Sequence, residues 1–93
     1  MYRVPMPEII RPWRDCPFTV DGFYAVLKSF KALRDTFVEG EVLQFERDAW
    51  SRYNGLTGYY FRQENSAATR VWDIGDDDDI EQWRELFVER KVV

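Results

Sequence analysis

The stretch of residues 37–45 constrains the fold of this chain more than any other part of its sequence. It reads Phe-Val-Glu-Gly-Glu-Val-Leu-Gln-Phe. The pair Gly40-Glu41 follows an apolar residue, and from there Leu43 and Phe45 alternate with polar side chains, as in a strand that buries one face. This pattern predicts a diverging turn that opens a meander of short antiparallel strands. We therefore expect a mainly β (α+β) fold, a small antiparallel barrel of four to five strands with a C-terminal helix.

Further strands are predicted where aromatic and β-branched residues lie between turn signals. Besides the strand that opens at Gly40, the predicted strands are residues 23–30, 59–63 and 69–74. Residues 31–36 are polar enough to form a loop or one short helical turn. Residues 51–58 are predicted to be a connection, because Asn54-Gly55 is a strong turn dipeptide.

The acidic run Asp76–Asp79 is predicted to introduce the C-terminal helix. Ile80, Trp83 and Phe87 recur at helical spacing, which indicates a single apolar face. Either of the last two aspartates of the run is well placed to cap the first turn, where a negative charge also complements the helix dipole. We expect this helix to plug or cover one end of the barrel.

All four prolines of the chain lie within its first 19 residues. Proline fixes its own φ and favours extended geometry in the residue before it. Residues 1–19 are therefore predicted to be a Pro-rich extended arm, and residues 20–93 a single domain. Apolar side chains such as Ile9 and Trp13 leave two interpretations open. The favoured one is an arm strapped across the barrel, and the other is an arm that pairs with a partner or a second copy.

Composition argues against several classes of function. The chain has no histidine and one cysteine, so Ser-His and Cys-His nucleophilic systems and zinc sites lack their side chains. The five glycines are too scattered to form a phosphate-binding loop. We therefore expect a protein that is not an enzyme, with no cofactor and no catalytic residues.

The cysteine content and the net charge indicate the compartment and the class of partner to expect. Cys16 cannot form an internal disulfide, which suits a reducing compartment. No apolar run reaches membrane-spanning length and the first ten residues lack the apolar core of a secretory signal, so a cytoplasmic protein without a membrane partner is expected. The net charge is −4, and the whole acidic excess falls in residues 73–93. This sign disfavours nucleic acid as a partner.

Two segments are candidate partner-binding sites. The first contains Trp50, Arg52 and Tyr53, which are residue types enriched at binding hot spots. If these side chains are exposed, they form a recognition surface, but Trp50 and Tyr53 could instead fold back onto the barrel end. Arg62 and Arg70 could flank this surface or pair with glutamates across the sheet. A clustered basic face that also includes Arg47 and Arg52 would favour nucleic-acid binding.

The second candidate site is the acidic run, from which Asp76, Asp77 and Asp78 are predicted to contact a partner. Grouped carboxylates also make this run the one candidate for a calcium site. Its register does not fit an EF-hand, because Asp78 and Arg84 occupy positions where glycine and glutamate are required. The favoured alternative is a solvated acidic turn that caps the helix, and no metal site is expected.

The pattern Phe37-x-x-Gly40-Glu41-x-Leu43-x-Phe45 resembles the diverging-turn and second-strand signature of SH3-like barrels. The order of strands, turns and short helix over residues 20–87 is similar to that class. The chain lacks the Ala-Leu-Tyr-Asp-Tyr run and the tryptophan doublet of true SH3 domains, so the resemblance does not imply proline-peptide binding. The sequence is also similar to small bacterial domains of unknown function, and that resemblance implies no activity.

These observations lead to one expected function and two alternatives. The expected function is a protein–protein interaction module, of which an immunity-like protein that plugs the basic active site of a toxin is one specific form. The first alternative is a nucleic-acid- or ribosome-associated SH3-like barrel, in which aromatic side chains stack on bases. The second is a divalent-metal-responsive module that uses Asp76–Asp79.

Overall fold

The computed structural model describes residues 15–51, 53–63 and 68–90, and within them strands hold 52% of the residues. The predicted mainly β class is therefore confirmed. In chain order the elements are β1 (Phe23–Val26), β2 (Phe30–Lys31), β3 (Thr36–Phe37), β4 (Val42–Ser51), β5 (Leu56–Gln63), β6 (Thr69–Gly75), a 3₁₀ turn (Ile80–Gln82), α1 (Trp83–Leu86) and β7 (Phe87–Arg90). No helix in this part of the chain is long and apolar enough to cross a membrane.

Five of the strands form one antiparallel sheet in the order β6-β5-β4-β1-β7, and β2 and β3 form a separate two-stranded hairpin. The predicted meander is the run β4-β5-β6. The register between β4 and β5 shifts between Phe45 and Arg47, and such a bulge bends and twists a strand. Among the described strands, β6 and β7 are the two edges and do not pair with each other, so these strands form an open sheet and not a closed barrel.

The chain leaves the sheet earlier than the sequence predicts. The predicted strand 23–30 ends at Val26, and Phe30 begins the β2–β3 hairpin, so residues 31–36 are not simply a loop. The ring of Phe30 stacks on that of Phe37 with centroids 4.8 Å apart. Because Phe37 is fully buried, this contact fixes the hairpin against the core.

The predicted C-terminal helix is wrong in its extent. Helical structure covers only residues 80–86, and Phe87 has extended backbone angles (φ −132°, ψ 152°) because it begins β7, opposite Val26 of β1. The apolar side chain of Phe87 thus enters the core from a strand. The predicted cap is confirmed, since the carboxylate of Asp79 accepts a hydrogen bond from the N–H of Glu81 at 3.0 Å.

The core is a cluster of aromatic rings with Phe18 at its centre. Phe18 belongs to the predicted N-terminal arm, yet only 5% of its surface is exposed. Its ring centroid lies 5.0–6.1 Å from the centroids of Tyr24, Phe45, Tyr59, Phe61, Trp72, Trp83 and Phe87. The end of the arm therefore packs into the domain, while residues 1–14 lie outside the described part of the chain.

Candidate functional site

The two predicted binding segments meet at one end of the sheet. The registers place Ser51, Leu56 and Gly75 side by side, so β4, β5 and β6 end or begin together. The indole Nε1–H of Trp50 donates to the carboxylate oxygens of Asp76 at 3.2 and 3.3 Å. The N–H of Asp76 in turn donates to the carbonyl of Gly55 at 2.8 Å. The β4–β5 turn and the acidic turn after β6 are thus joined by direct hydrogen bonds.

The two aromatic residues of the first predicted segment differ in exposure: Trp50 is half-buried and Tyr53 is exposed. Trp50 lies on β4 and not on a loop, because β4 continues to Ser51. Its hydrogen bond to Asp76 holds the half-buried indole in place. Tyr53 lies in the tight turn and is 95% exposed. Arg52, the third predicted residue of this segment, lies outside the described residues.

The acidic turn is built by its own hydrogen bonds. Asp78 accepts from the N–H of Gly75 at 3.0 Å, and Asp79 caps the 3₁₀ turn as described above. Asp77, Asp78 and Asp79 are exposed, whereas Asp76 is half-buried beside Trp50. Within the described ranges, no group of three or more His, Cys, Asp or Glu side chains is arranged to hold a metal ion.

A groove of about 370 Å³ adjoins this end of the sheet. One wall is the connection between β2 and β3, and the other is the end of β4 with the turn that follows it. The floor is the outer face of β5 and β6. The lining residues are Leu33, Arg34, Ala49, Trp50, Ser51, Asn54, Leu56, Gly58, Tyr60 and Asp73. Most of these residues carry no sequence signal for binding, and only Trp50 is a predicted site residue.

An ion pair between Arg34 and Asp73 joins the β2–β3 connection to the floor of the groove. The side chain of Asp73 is only 3% exposed, and both of its oxygens accept from Arg34, from Nε at 2.7 Å and from Nη2 at 2.7 Å. These hydrogen bonds raise the pKa of the Arg34 guanidinium above its already high usual value, so the group stays charged. Gly58 provides the space, since a Cβ there would lie 3.2 Å from Asp73 Oδ1 and 3.1 Å from the ring of Tyr60.

Three arginines on β4, β5 and β6 contact other side chains of the protein. Arg62 forms an ion pair with Glu46, and Arg70 forms one with Glu41 at 2.9 Å, as the cross-sheet interpretation predicts. The guanidinium of Arg47 lies 4.1 Å from the ring centroid of Tyr60. The charges of Arg62 and Arg70 are therefore balanced by neighbouring carboxylates, which lessens the positive potential that a nucleic-acid partner would require.

Comparison with known proteins adds no relative to this description. No protein-family model, no curated protein and no solved structure matches the chain. The geometry of the site is therefore the basis for the function that follows.

Proposed function

We propose that this chain is a non-catalytic protein-interaction module that binds a basic surface of a partner protein. The binding face comprises Trp50, Tyr53 and the acidic residues Asp76, Asp77 and Asp78. The observation that carries the proposal is the hydrogen bond between Trp50 and Asp76, because it joins the aromatic segment to the acidic one. The hydrogen bond from the N–H of Asp76 to the carbonyl of Gly55 joins the same two segments through the backbone.

The chemistry of this face fits a recognition surface. Tyr53 projects almost fully into solvent, and aromatic side chains of this kind contribute much of the energy of protein interfaces. Trp50 is held by Asp76, so less conformational entropy is lost when a partner packs against it. The exposed carboxylates of Asp77 and Asp78 would accelerate association with a positively charged surface and select for it. An immunity-like protein that blocks a basic active site is one specific form of this function.

The adjoining groove supports the same proposal. Leu33 and Leu56 contribute apolar surface to it, and the Arg34–Asp73 pair contributes a fixed polar group. Binding sites of this composition bury an apolar side chain and orient it through a few polar groups. A partner side chain that enters the groove would lie next to Trp50, so that the groove extends the binding face.

For the fold, we infer an SH3-like architecture. The β4-β5-β6 meander followed by a short helical turn has the order of strands, turns and short helix that the sequence resemblance implies. Such folds carry many unrelated functions, so this inference does not name the partner. The free thiol of Cys16 supports a reducing, cytoplasmic location as part of the proposal.

Substitution of Tyr53 and Asp77 tests the binding face. The tagged protein is used to capture partners from cell lysate, and the recovered protein is then purified for affinity measurements. We expect Tyr53→Ala and Asp77→Lys each to weaken binding about 30-fold or more, as for hot-spot residues that contribute about 2 kcal/mol. Thermal unfolding of both variants should match that of the parent protein, because both side chains are exposed.

Glu89→Lys is the matched control, since it reverses an exposed charge on β7 and leaves the binding face intact. Equal affinity of all three variants and the parent protein would overturn the proposal. Captured material that disappears after nuclease treatment would instead favour the nucleic-acid alternative.

A further inference from the structure

β6 is an edge strand of the five-stranded sheet. It pairs with β5 along its whole length, from Thr69 opposite Arg62 to Gly75 opposite Leu56, and has no strand neighbour among the described residues on its other side. The outward N–H and C=O groups of such an edge can pair with a strand from another chain, and many proteins cover or interrupt their edges for this reason. At seven residues, β6 is long enough to need such protection.

Two consecutive residues of the β2–β3 connection, Arg34 and Asp35, form hydrogen bonds with β6. The N–H of Val71 donates to the carboxylate of Asp35 at 2.8 Å and therefore points away from β5. Two residues further along the same strand, Asp73 is held by the bidentate hydrogen bonds from Arg34. Arg34 and Asp35 thus contact alternate residues of the edge strand. We call this pair the Arg34–Asp35 clasp.

The clasp is held in position by the hairpin that carries it. The N–H of Ala32 donates to the carbonyl of Asp35 at 2.8 Å, which closes the turn. The stacked rings of Phe30 and Phe37 anchor the two hairpin strands to the core. A carboxylate fixed in this way satisfies the Val71 N–H without offering the continuous row of backbone groups that a further strand would need.

A carboxylate also accepts a hydrogen bond from the C-terminal end of β6. Its last N–H, that of Gly75, donates to Asp78 at 3.0 Å. Carboxylates from two different parts of the chain therefore accept hydrogen bonds from this edge, one near its middle and one at its end. Between the two covered positions, Val71 and Gly75, lie Trp72 and Ile74, which are residue types that favour strand pairing.

We infer that the Arg34–Asp35 clasp prevents β6 from pairing with β6 of a second copy of this chain. A second copy is the occupant because one edge brought round a two-fold axis pairs antiparallel with itself, and the Val71 N–H covered by Asp35 lies near the middle of the strand. The β6 edge is not part of the proposed binding face, although the Arg34–Asp73 pair of the clasp also lines the adjoining groove. Asp35→Ala removes the contact with Val71 and keeps both members of that pair. It predicts that opening the clasp converts the β6 edge into a dimer interface.

Self-association of clasp variants tests the inference. The parent protein, Asp35→Ala and the double variant Arg34→Ala/Asp35→Ala are compared by sedimentation velocity over a range of concentrations. We expect the dissociation constant for dimer formation to fall roughly 10- to 100-fold in the double variant, because edge N–H and C=O groups become available to a second strand. Glu39→Ala is the control, since it removes an exposed carboxylate that takes no part in the clasp.

Hydrogen exchange, read residue by residue by NMR, separates pairing from unfolding. In dilute Asp35→Ala the Val71 amide should exchange faster than in the parent protein, and at high concentration it should become protected again while the Phe45 amide of β4 stays protected throughout. Unchanged self-association of both variants overturns the inference. So does association during which the Val71 amide stays unprotected, or concentration-dependent loss of protection at Phe45 as well.

Discussion

Phe18 shows how much one side chain outside the sheet contributes to this molecule. It precedes all the described strands, yet its ring contacts seven other aromatic rings and is almost fully buried. Edge-to-face geometry dominates these contacts, which adds a favourable electrostatic contribution to the burial of the ring. Removing the side chain would leave a cavity bounded by residues of five different strands.

We therefore predict that Phe18→Ala lowers the free energy of unfolding by about 3–5 kcal/mol, the usual cost of truncating a buried aromatic residue. The measurement is a urea titration followed by tryptophan fluorescence. Tyr53→Ala is the control and should change the free energy of unfolding by no more than about 0.5 kcal/mol, because its side chain is exposed. A loss below about 1 kcal/mol for Phe18→Ala would contradict its central place in the core.

Cys16 is predicted to be a slow nucleophile. Its thiol is half-buried and donates to the carbonyl of Phe18 at 3.4 Å. Burial raises its pKa to about 11, and the nearby carboxylate of Asp48 acts in the same direction. Because the thiolate is the reactive form, alkylation by iodoacetamide at neutral pH should be much slower in the folded protein than in urea, and its rate should rise with pH towards the raised pKa. Equal rates in the two states would show that the thiol is accessible and its pKa unshifted.

At the residue scale, the sequence predicts which side-chain types suit a binding face but not their exposure. Trp50 and Tyr53 are both residue types enriched at binding hot spots, so the sequence does not distinguish them. In the structure, the extension of β4 to Ser51 and the hydrogen bond to Asp76 hold the side chain of Trp50, whereas that of Tyr53 projects into solvent. The Arg34–Asp73 pair was missed because its partners lie 39 residues apart. Nothing in the local pattern of either residue indicates the other.

Elements that are distant in sequence are tied together by the ion pair of Glu41 and Arg70. Glu41 immediately precedes β4, and Arg70 lies on β6, two strands away. Burial alone would raise the pKa of Glu41, but the hydrogen bonds from Arg70 and from the N–H of Val38 outweigh it, so the pKa is lowered. A carboxylate whose pKa is lowered by folding stabilises the folded state when ionised.

This stabilisation should therefore be complete above the usual glutamate pKa of 4.5 and lost as the pH falls through the lowered value in the folded protein. We predict that Glu41→Gln is less stable than the parent protein at about pH 6, and that the difference shrinks towards about pH 3. Urea midpoints of the two proteins measured across this range give the result. Curves that stay parallel down to the lowest pH would exclude a linkage through Glu41.

At the element scale, the turn signals predict the strands of the β4-β5-β6 meander but not their lengths. The connection predicted at residues 51–58 is too long, because β4 continues to Ser51 and β5 begins at Leu56. The helix is the instructive failure. Ile80, Trp83 and Phe87 fit a helical period, but Phe87 lies on β7, where it pairs with Val26 of β1. Local periodicity cannot indicate this pairing. Long-range pairing outweighs local preference at this position.

For the whole molecule, the order of the strands follows from a contact between strands that are far apart in sequence. The sheet order places β1 between β4 and β7, so the first of the described strands pairs with the last of them. Sequence patterns can predict strands and adjacent hairpins, and they give a mainly β class correctly. They do not give this end-to-end pairing, because the residues of β7 alternate only weakly and β7 is short.

The pairing of β1 with β7 has a consequence for the synthesis of the protein. β1 emerges from the ribosome early, but its second partner strand, β7, is among the last residues described. β7 also carries Phe87, whose ring stacks on that of Phe61. The nascent chain can therefore form the hairpins of the meander while it is still being translated, but it cannot close the aromatic core until translation of β7 is complete. Closure of the core in the growing chain therefore waits for β7, and Phe18 remains without its full set of aromatic partners until then.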